Sequence, residues 1–176
     1  QSSVDLIRKE PELLKGPDFD FYGTTEKEAK EMIRYIDGSI EYGESVRNKP
    51  VEEVDKEAWQ YVSGSVYQIE DYQELDPNMC LMFENMIDYL QEKEVCVIFY
   101  LPPYHPIVYE YIEGDKNYEM VLRAEEYFKN LAIGKGIQVY GSYNPEVLQC
   151  TGEDFLDGMH MRRSCMSKCW VKNQED

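Results

Sequence analysis

Val95-Cys96-Val97-Ile98-Phe99-Tyr100-Leu101, halted by Pro102-Pro103, is the stretch on which the fold turns. An apolar run without alternation, closed by proline, reads as a strand buried on both faces, and such strands belong to parallel sheets. A helix should lead into it. Asp76 suits an N-cap, Pro77 the first helical position, and Met79, Met82, Phe83, Met86, Ile87 and Leu90 recur at helical spacing as one buried stripe. Beyond the prolines, Met120, Val121, Ala124, Phe128, Leu131 and Ala132 mark a second amphipathic helix. Gly134 and Gly136 close it ahead of a short strand, Ile137-Gln138-Val139-Tyr140. Strand, helix, strand is an α/β unit, for which a right-handed crossover is expected. In open parallel sheets functional residues gather on loops at the carboxyl ends of the strands, here residues 102–106 and 142–160.

Upstream the pattern is weaker. Thr24 or Thr25 could cap a helix carrying Met32, Ile33 and Ile36, with Glu28 completing a capping box from Thr25, and Asp55 could open another through Ala58, Trp59 and Val62. Gly38, Gly43 and Pro50 break the chain between them. The expected organisation is a mainly helical segment over 1–75 and an α/β portion over 76–176. Two parallel strands leave sheet edges unsatisfied, so residues 1–75 or a second copy of the chain in a homodimer should shield one.

Composition narrows the function. The 176 residues are 43% hydrophobic and 13% aromatic, enough for a real core. Eighteen basic against 35 acidic residues leave a net charge of −17, whose field repels phosphate backbones and anionic membranes, so nucleic acid is excluded as a partner. Cys80, Cys96, Cys150, Cys165 and Cys169 are odd in number and form no compact disulfide framework, so most should be reduced. Cys165 and Cys169 with His160 could be drawn as a metal site, but the paired Cys-x-x-Cys spacing of structural zinc is missing, and no metal is expected. There is no run of about 20 apolar residues and no basic-then-apolar signal pattern.

One motif carries chemistry. In Asp154-Phe155-Leu156-Asp157-Gly158-Met159-His160 an acid stands three residues before one of only two histidines. One turn of backbone can bring the Asp157 carboxylate to Nδ1 of the imidazole, fixing the tautomer that lets Nε2 take a proton from a hydroxyl. A surface histidine beside an acid is the commoner meaning of so short a motif, but its place after the second strand favours catalysis. Asp154 should accept backbone hydrogen bonds in the turn that presents Asp157.

Three blocks in order, Leu101-Pro102-Pro103-Tyr104-His105-Pro106, Tyr140-Gly141-Ser142-Tyr143-Asn144-Pro145 and the Asp154–His160 motif, resemble the last part of the SGNH (GDSL-type) hydrolase family. The likeness is to its bacterial cell-envelope branch, whose members add or remove acyl groups on surface polysaccharides. The resemblance implies part of a three-layer α/β/α, flavodoxin-like fold with a parallel sheet, incomplete in this chain. It also implies Asp157 as triad acid, His160 as general base, and no cofactor. His105 and Tyr104, on the rim formed by the first loop, become candidate substrate-binding residues for an acylated small molecule or glycan. The family's nucleophilic serine motif is missing. Ser65 in Val62-Ser63-Gly64-Ser65-Val66 follows a helix-like run, and Ser2 and Ser3 follow no strand. The expectation is therefore a C-terminal portion whose serine lies upstream, in an extracytoplasmic or membrane-anchored protein, inactive as this chain alone. The rivals are a non-catalytic domain that keeps the scaffold to bind a glycan or protein, and a metal-dependent hydrolase using His105 and His160.

Overall fold

The computed structural model describes residues 32–35, 40–64, 66, 69–70 and 72–170. Contacts divide the chain into two compact units, Gln1–Asn48 and Lys49–Asp176. The division falls well before residue 75 because helix Val51–Val62 buries Val54, Ala58 and Val62 in the core of the larger unit.

In the smaller unit, β1 (Met32–Arg34) and β2 (Ile40–Tyr42) pair antiparallel, Ile33 opposite Glu41, and a short helix, α1 (Glu44–Arg47), follows. This corrects the helix expected across Met32 and Ile33. Ile33, Ile40 and Tyr42 are strand formers, and cross-strand pairing outweighs a local capping signal. Thr24, Thr25, Glu28 and Ile36 lie outside the described residues.

The larger unit opens with α2 (Val51–Val62). Asp55 does not start this helix but sits inside it, and Trp59 is exposed. Next, α3 (Pro77–Glu92) begins as its sequence dictates, with Asp76 Oδ1 accepting from the backbone N–H groups of Asn78 (2.8 Å) and Met79 (3.1 Å) and Pro77 in the first turn. Its buried side is narrower than the apolar stripe. Ile87 is buried and Phe83 packs beside it, whereas Met79, Met82 and Met86 are exposed.

The decisive stretch yields a strand only over Ile98–Leu101, β3, and it alternates: Phe99 and Leu101 are buried, Val95 and Ile98 exposed. Burial on both faces throughout is thus not realised. The cause is its pairing, because among the described residues β3 bonds only β4 (Gln138–Gly141), in parallel register with Phe99 opposite Val139 and Tyr100 opposite Tyr140. Between them come α4 (Pro106–Gly114), a 3₁₀ turn at Lys116–Tyr118 and α5 (Glu119–Lys135), which ends on Gly136 in the left-handed conformation. Phe99 packs with Phe83, Ile87 and Phe128 on one side of the strand pair, while on the other Tyr100 stacks on Trp170 at 5.6 Å, just after α6 (Arg163–Cys169). The chain is therefore mixed α/β with a small parallel sheet. At the end of β4 Gly141 has φ 80°, and a Cβ there would lie 2.2 Å from the Leu101 carbonyl oxygen, so only glycine lets the strand turn into its loop.

Cys150 and Cys165 form a disulfide, and Cys80, Cys96 and Cys169 are free thiols, Cys96 exposed rather than packed in the strand. Bonded to Cys150, Cys165 cannot join Cys169 and His160 as a metal ligand. Among the described residues no helix is long and apolar enough to cross a membrane.

Candidate functional site

The loop after β4 folds back on itself. Leu156 N–H donates to the His160 carbonyl (2.7 Å), Arg162 N–H to that of Asp154 (2.7 Å), and Phe155 bridges Met161 as in an antiparallel ladder. At the tip, Asp157 Oδ1 accepts from the N–H groups of Met159 and His160, each at 2.8 Å. The same carboxylate meets His160 Nδ1, with Oδ2 at 2.8 Å and Oδ1 at 3.1 Å. An acceptor-only partner at Nδ1 places the imidazole proton there and makes Nε2 the basic nitrogen. The His160 side chain is 52% exposed and that of Asp157 20%. Asp157 and His160 are thus brought together in the orientation their spacing suggests.

Every flank of this tip is tied down. Arg162 reaches the Phe155 carbonyl through Nε (2.8 Å) and the Lys49 carbonyl through Nη2 (2.9 Å), and Lys49 Nζ donates to the Leu156 carbonyl (3.2 Å). His105 N–H donates to the Gly158 carbonyl (3.3 Å). Gly158 lies against the ring of Tyr61, where a Cβ would come within 2.7 Å of Cδ2. Asp154 does take the structural part expected of it, accepting from Thr151 N–H (2.9 Å) and from Lys168 Nζ (2.9 Å). Burial alone would raise its pKa, but the hydrogen bonds from Lys168, Ser164 and the Thr151 backbone, with the Lys168 charge, hold it below the ordinary carboxylate value.

His105 does not stand on an open rim. Its side chain is 1% exposed, caps α4 by accepting from Ile107 N–H at Nδ1 (3.2 Å), and meets Phe155 edge to face at 5.2 Å. With Nδ1 an acceptor, its proton is on Nε2, which faces Asp55 of α2 with Oδ1 3.2 Å away. Burial lowers the His105 pKa, opposed by the charge of Asp55, by the side-chain interaction with the same carboxylate, and by the charge of Asp157. Tyr104 turns elsewhere: its ring packs edge to face on Tyr143 (5.5 Å) and its N–H donates to the Tyr143 carbonyl (3.1 Å). Burial raises the pKa of Tyr104, and pushes that of Tyr143 up to about 12, aided by Tyr104 and Glu125. Buried Glu125 of α5 accepts from Ser142 Oγ (2.7 Å) and Tyr143 N–H (3.0 Å), fixing the start of the loop after β4. Ser65, Ser2 and Ser3 lie outside the described residues.

Sequence reasoning missed Asp55, Tyr61 and the Lys49–Arg162 tie, for which no local signal exists because their partners lie far along the chain. It also missed α4, although Pro106 in its first turn and the i, i+4 pair Val108 and Ile112 were available cues. No family model matches the chain, and neither a curated protein nor a solved structure matches it significantly.

Proposed function

We propose that Asp157 and His160 are the acid and general base of an SGNH-type serine esterase or acyltransferase acting on acyl esters, including those of cell-envelope glycans. The nucleophilic serine is supplied from an upstream part of the protein, whose strands complete a flavodoxin-like three-layer sheet beside β3 and β4. The observation that carries this reading is the 2.8 Å contact between His160 Nδ1 and Asp157 Oδ2, on the loop that follows the second of two parallel strands.

In this scheme His160 Nε2 takes the serine proton as the serine oxygen attacks the acyl carbonyl, and Asp157 stabilises the imidazolium. When the tetrahedral intermediate collapses, the same proton passes to the departing alkoxide, leaving an acyl-serine. Water or an acceptor hydroxyl, deprotonated in turn by His160, then attacks the acyl carbon, and the proton returns from His160 to the serine oxygen as the acyl–serine bond breaks. The chemistry calls for no metal or organic cofactor. The Cys150–Cys165 disulfide accords with an extracytoplasmic setting, since such bonds persist in oxidising compartments.

The test is labelling with a fluorophosphonate serine probe and peptide mapping, on this chain and on the longer protein that the proposal requires. Labelling confined to the longer protein and abolished by His160→Ala is expected. Labelling of Ser65 in this chain would relocate the nucleophile, and labelling in neither would end the catalytic reading.

A further inference from the structure

A second feature of the fold lies between α2, the N-terminus of α4 and the 3₁₀ turn Gly152–Asp154. A cleft of about 460 Å³ opens there, with apolar walls from Val51 and Ile107 and with Asp55, His105 and Gly152 together at one point. His105 is 1% exposed, and its Nε2 makes no hydrogen bond of acceptable geometry, although Asp55 Oδ1 is 3.2 Å away. A buried N–H with Asp55 as its sole, poorly aligned neighbour is under-satisfied, so a better-placed acceptor would be favoured there. Asp55 itself is 43% exposed and, besides this approach, takes no hydrogen bond among the described residues. Gly152 borders the pair so closely that a Cβ would project to 2.8 Å from Asp55 Oδ1 and 3.3 Å from His105 Nε2. With glycine at this position no Cβ occupies the ground beside donor and acceptor.

The donor and acceptor select the ligand. A hydroxyl accepts from Nε2–H and donates to the Asp55 carboxylate with one atom. An ammonium is drawn to Asp55 by charge but meets the imidazole N–H as a second donor and leaves it unsatisfied. A carboxylate or phosphate is repelled by Asp55, by exposed Glu153 at the mouth and by a chain of net charge −17. We propose that this cleft is a saccharide subsite, in which a sugar hydroxyl bridges His105 Nε2–H and Asp55 while Val51 and Ile107 pack against the ring carbons. The subsite stands on its own geometry, and where Asp157 and His160 act on glycan esters it holds the glycan portion. The backbone bond from His105 N–H to the Gly158 carbonyl links it directly to their turn.

The experiment follows the His105 ring in ¹H–¹⁵N correlation spectra during titration with methyl α-glucopyranoside, with methylamine and inorganic phosphate as separate arms. A saturable shift of Nε2 with the glycoside only is expected, weakened about tenfold or more in Asp55→Leu, as for a lost hydrogen bond to a charged group. Gly152→Ala should weaken it as well, and melting curves verify that both variants are folded. His160→Ala should bind as the wild type does. No saturable shift, which leaves water as the occupant, a response to methylamine or phosphate, or binding indifferent to both Asp55→Leu and Gly152→Ala would each overturn the proposal. Since binding is read without turnover, a failure of serine labelling and a failure of this subsite remain distinguishable.

Discussion

Reducing the Cys150–Cys165 disulfide should destabilise the Lys49–Asp176 unit by about 3 kcal/mol, the chain-entropy value for a loop of this size. The two cysteines are 15 positions apart, and their bond closes the segment containing Asp154, Asp157 and His160. Both are buried in one cluster with Val54, Leu148, Phe155 and Cys169, so the thiols stay packed and reduction opens no cavity. The loss therefore arises mainly from the greater freedom of the unfolded chain, and a steeper dependence of stability on denaturant should accompany it as the unfolded state expands. For a unit of this length the thermal midpoint should fall by about 10 °C. The assay is urea and thermal unfolding of the oxidised and fully reduced protein, with thiol state established by alkylation and mass spectrometry. Cys150→Ala with Cys165→Ala is the variant that cannot re-form the bond. A change below about 1 kcal/mol with complete reduction verified, or an unchanged denaturant slope, would refute the reasoning.

With only two histidines in the chain, proton NMR can follow each separately. His105 should titrate with a midpoint below 6.5, because burial disfavours its charged form, and Asp55→Asn should lower it further by removing a charge that supports the imidazolium. Asp154 has a folded pKa below its unfolded value, so its contribution to stability is present above that value and fades as pH falls through the folded one. The stability gap between wild type and Asp154→Asn should accordingly be widest near neutrality and narrow steadily below about pH 4 in urea melts at stepped pH. Gly158→Ala drives a methyl into the Tyr61 ring and should cost about 1–3 kcal/mol, the range for overpacking. Tyr61→Ala in the same chain should recover part of that loss, whereas an undiminished loss would show that backbone rather than ring contact is responsible.

The sequence disclosed what its local physics determines. Asp76 and Pro77 set the start of α3 within a few residues, Gly136 ends α5 as a left-handed cap, and the two apolar runs become the paired strands β3 and β4. The Asp157–His160 contact was legible for the same reason, since three residues of turn suffice to close it. What escaped depends on pairing at a distance. The antiparallel pairing of β1 with β2 overrides a helical signal, and Met79, Met82 and Met86 stay exposed although their spacing matches a core stripe. The Cys150–Cys165 partnership could not be chosen among five cysteines by spacing, and the Asp55–His105 approach joins positions with no shared motif. Burial of the His105 ring was likewise hidden, because prolines on either side of a loop read as exposure until Phe155 is known to pack on it.

The long-range contacts that were missed belong to one arrangement, in which α2 serves as the rail for the loop after β4. Between Lys49 and Tyr61 the loop is met at three points. Lys49 holds the Leu156 carbonyl and is held by Arg162, Asp55 and His105 close on Gly152, and Tyr61 covers Gly158. This explains how His160 can expose half its side chain and still have a defined orientation. Its ring is held by a carboxylate whose Oδ1 also accepts two backbone N–H groups, and the backbone of that turn is fixed from α2 and from the His105 N–H. In the proposed mechanism a base positioned in this way would lose little freedom on engaging a substrate, which is the requirement for preorganised proton transfer. The same rail accounts for the unit boundary at Lys49. Cutting the chain at residue 75 would remove α2 and with it the Lys49, Asp55 and Tyr61 contacts to the loop that carries Asp157 and His160.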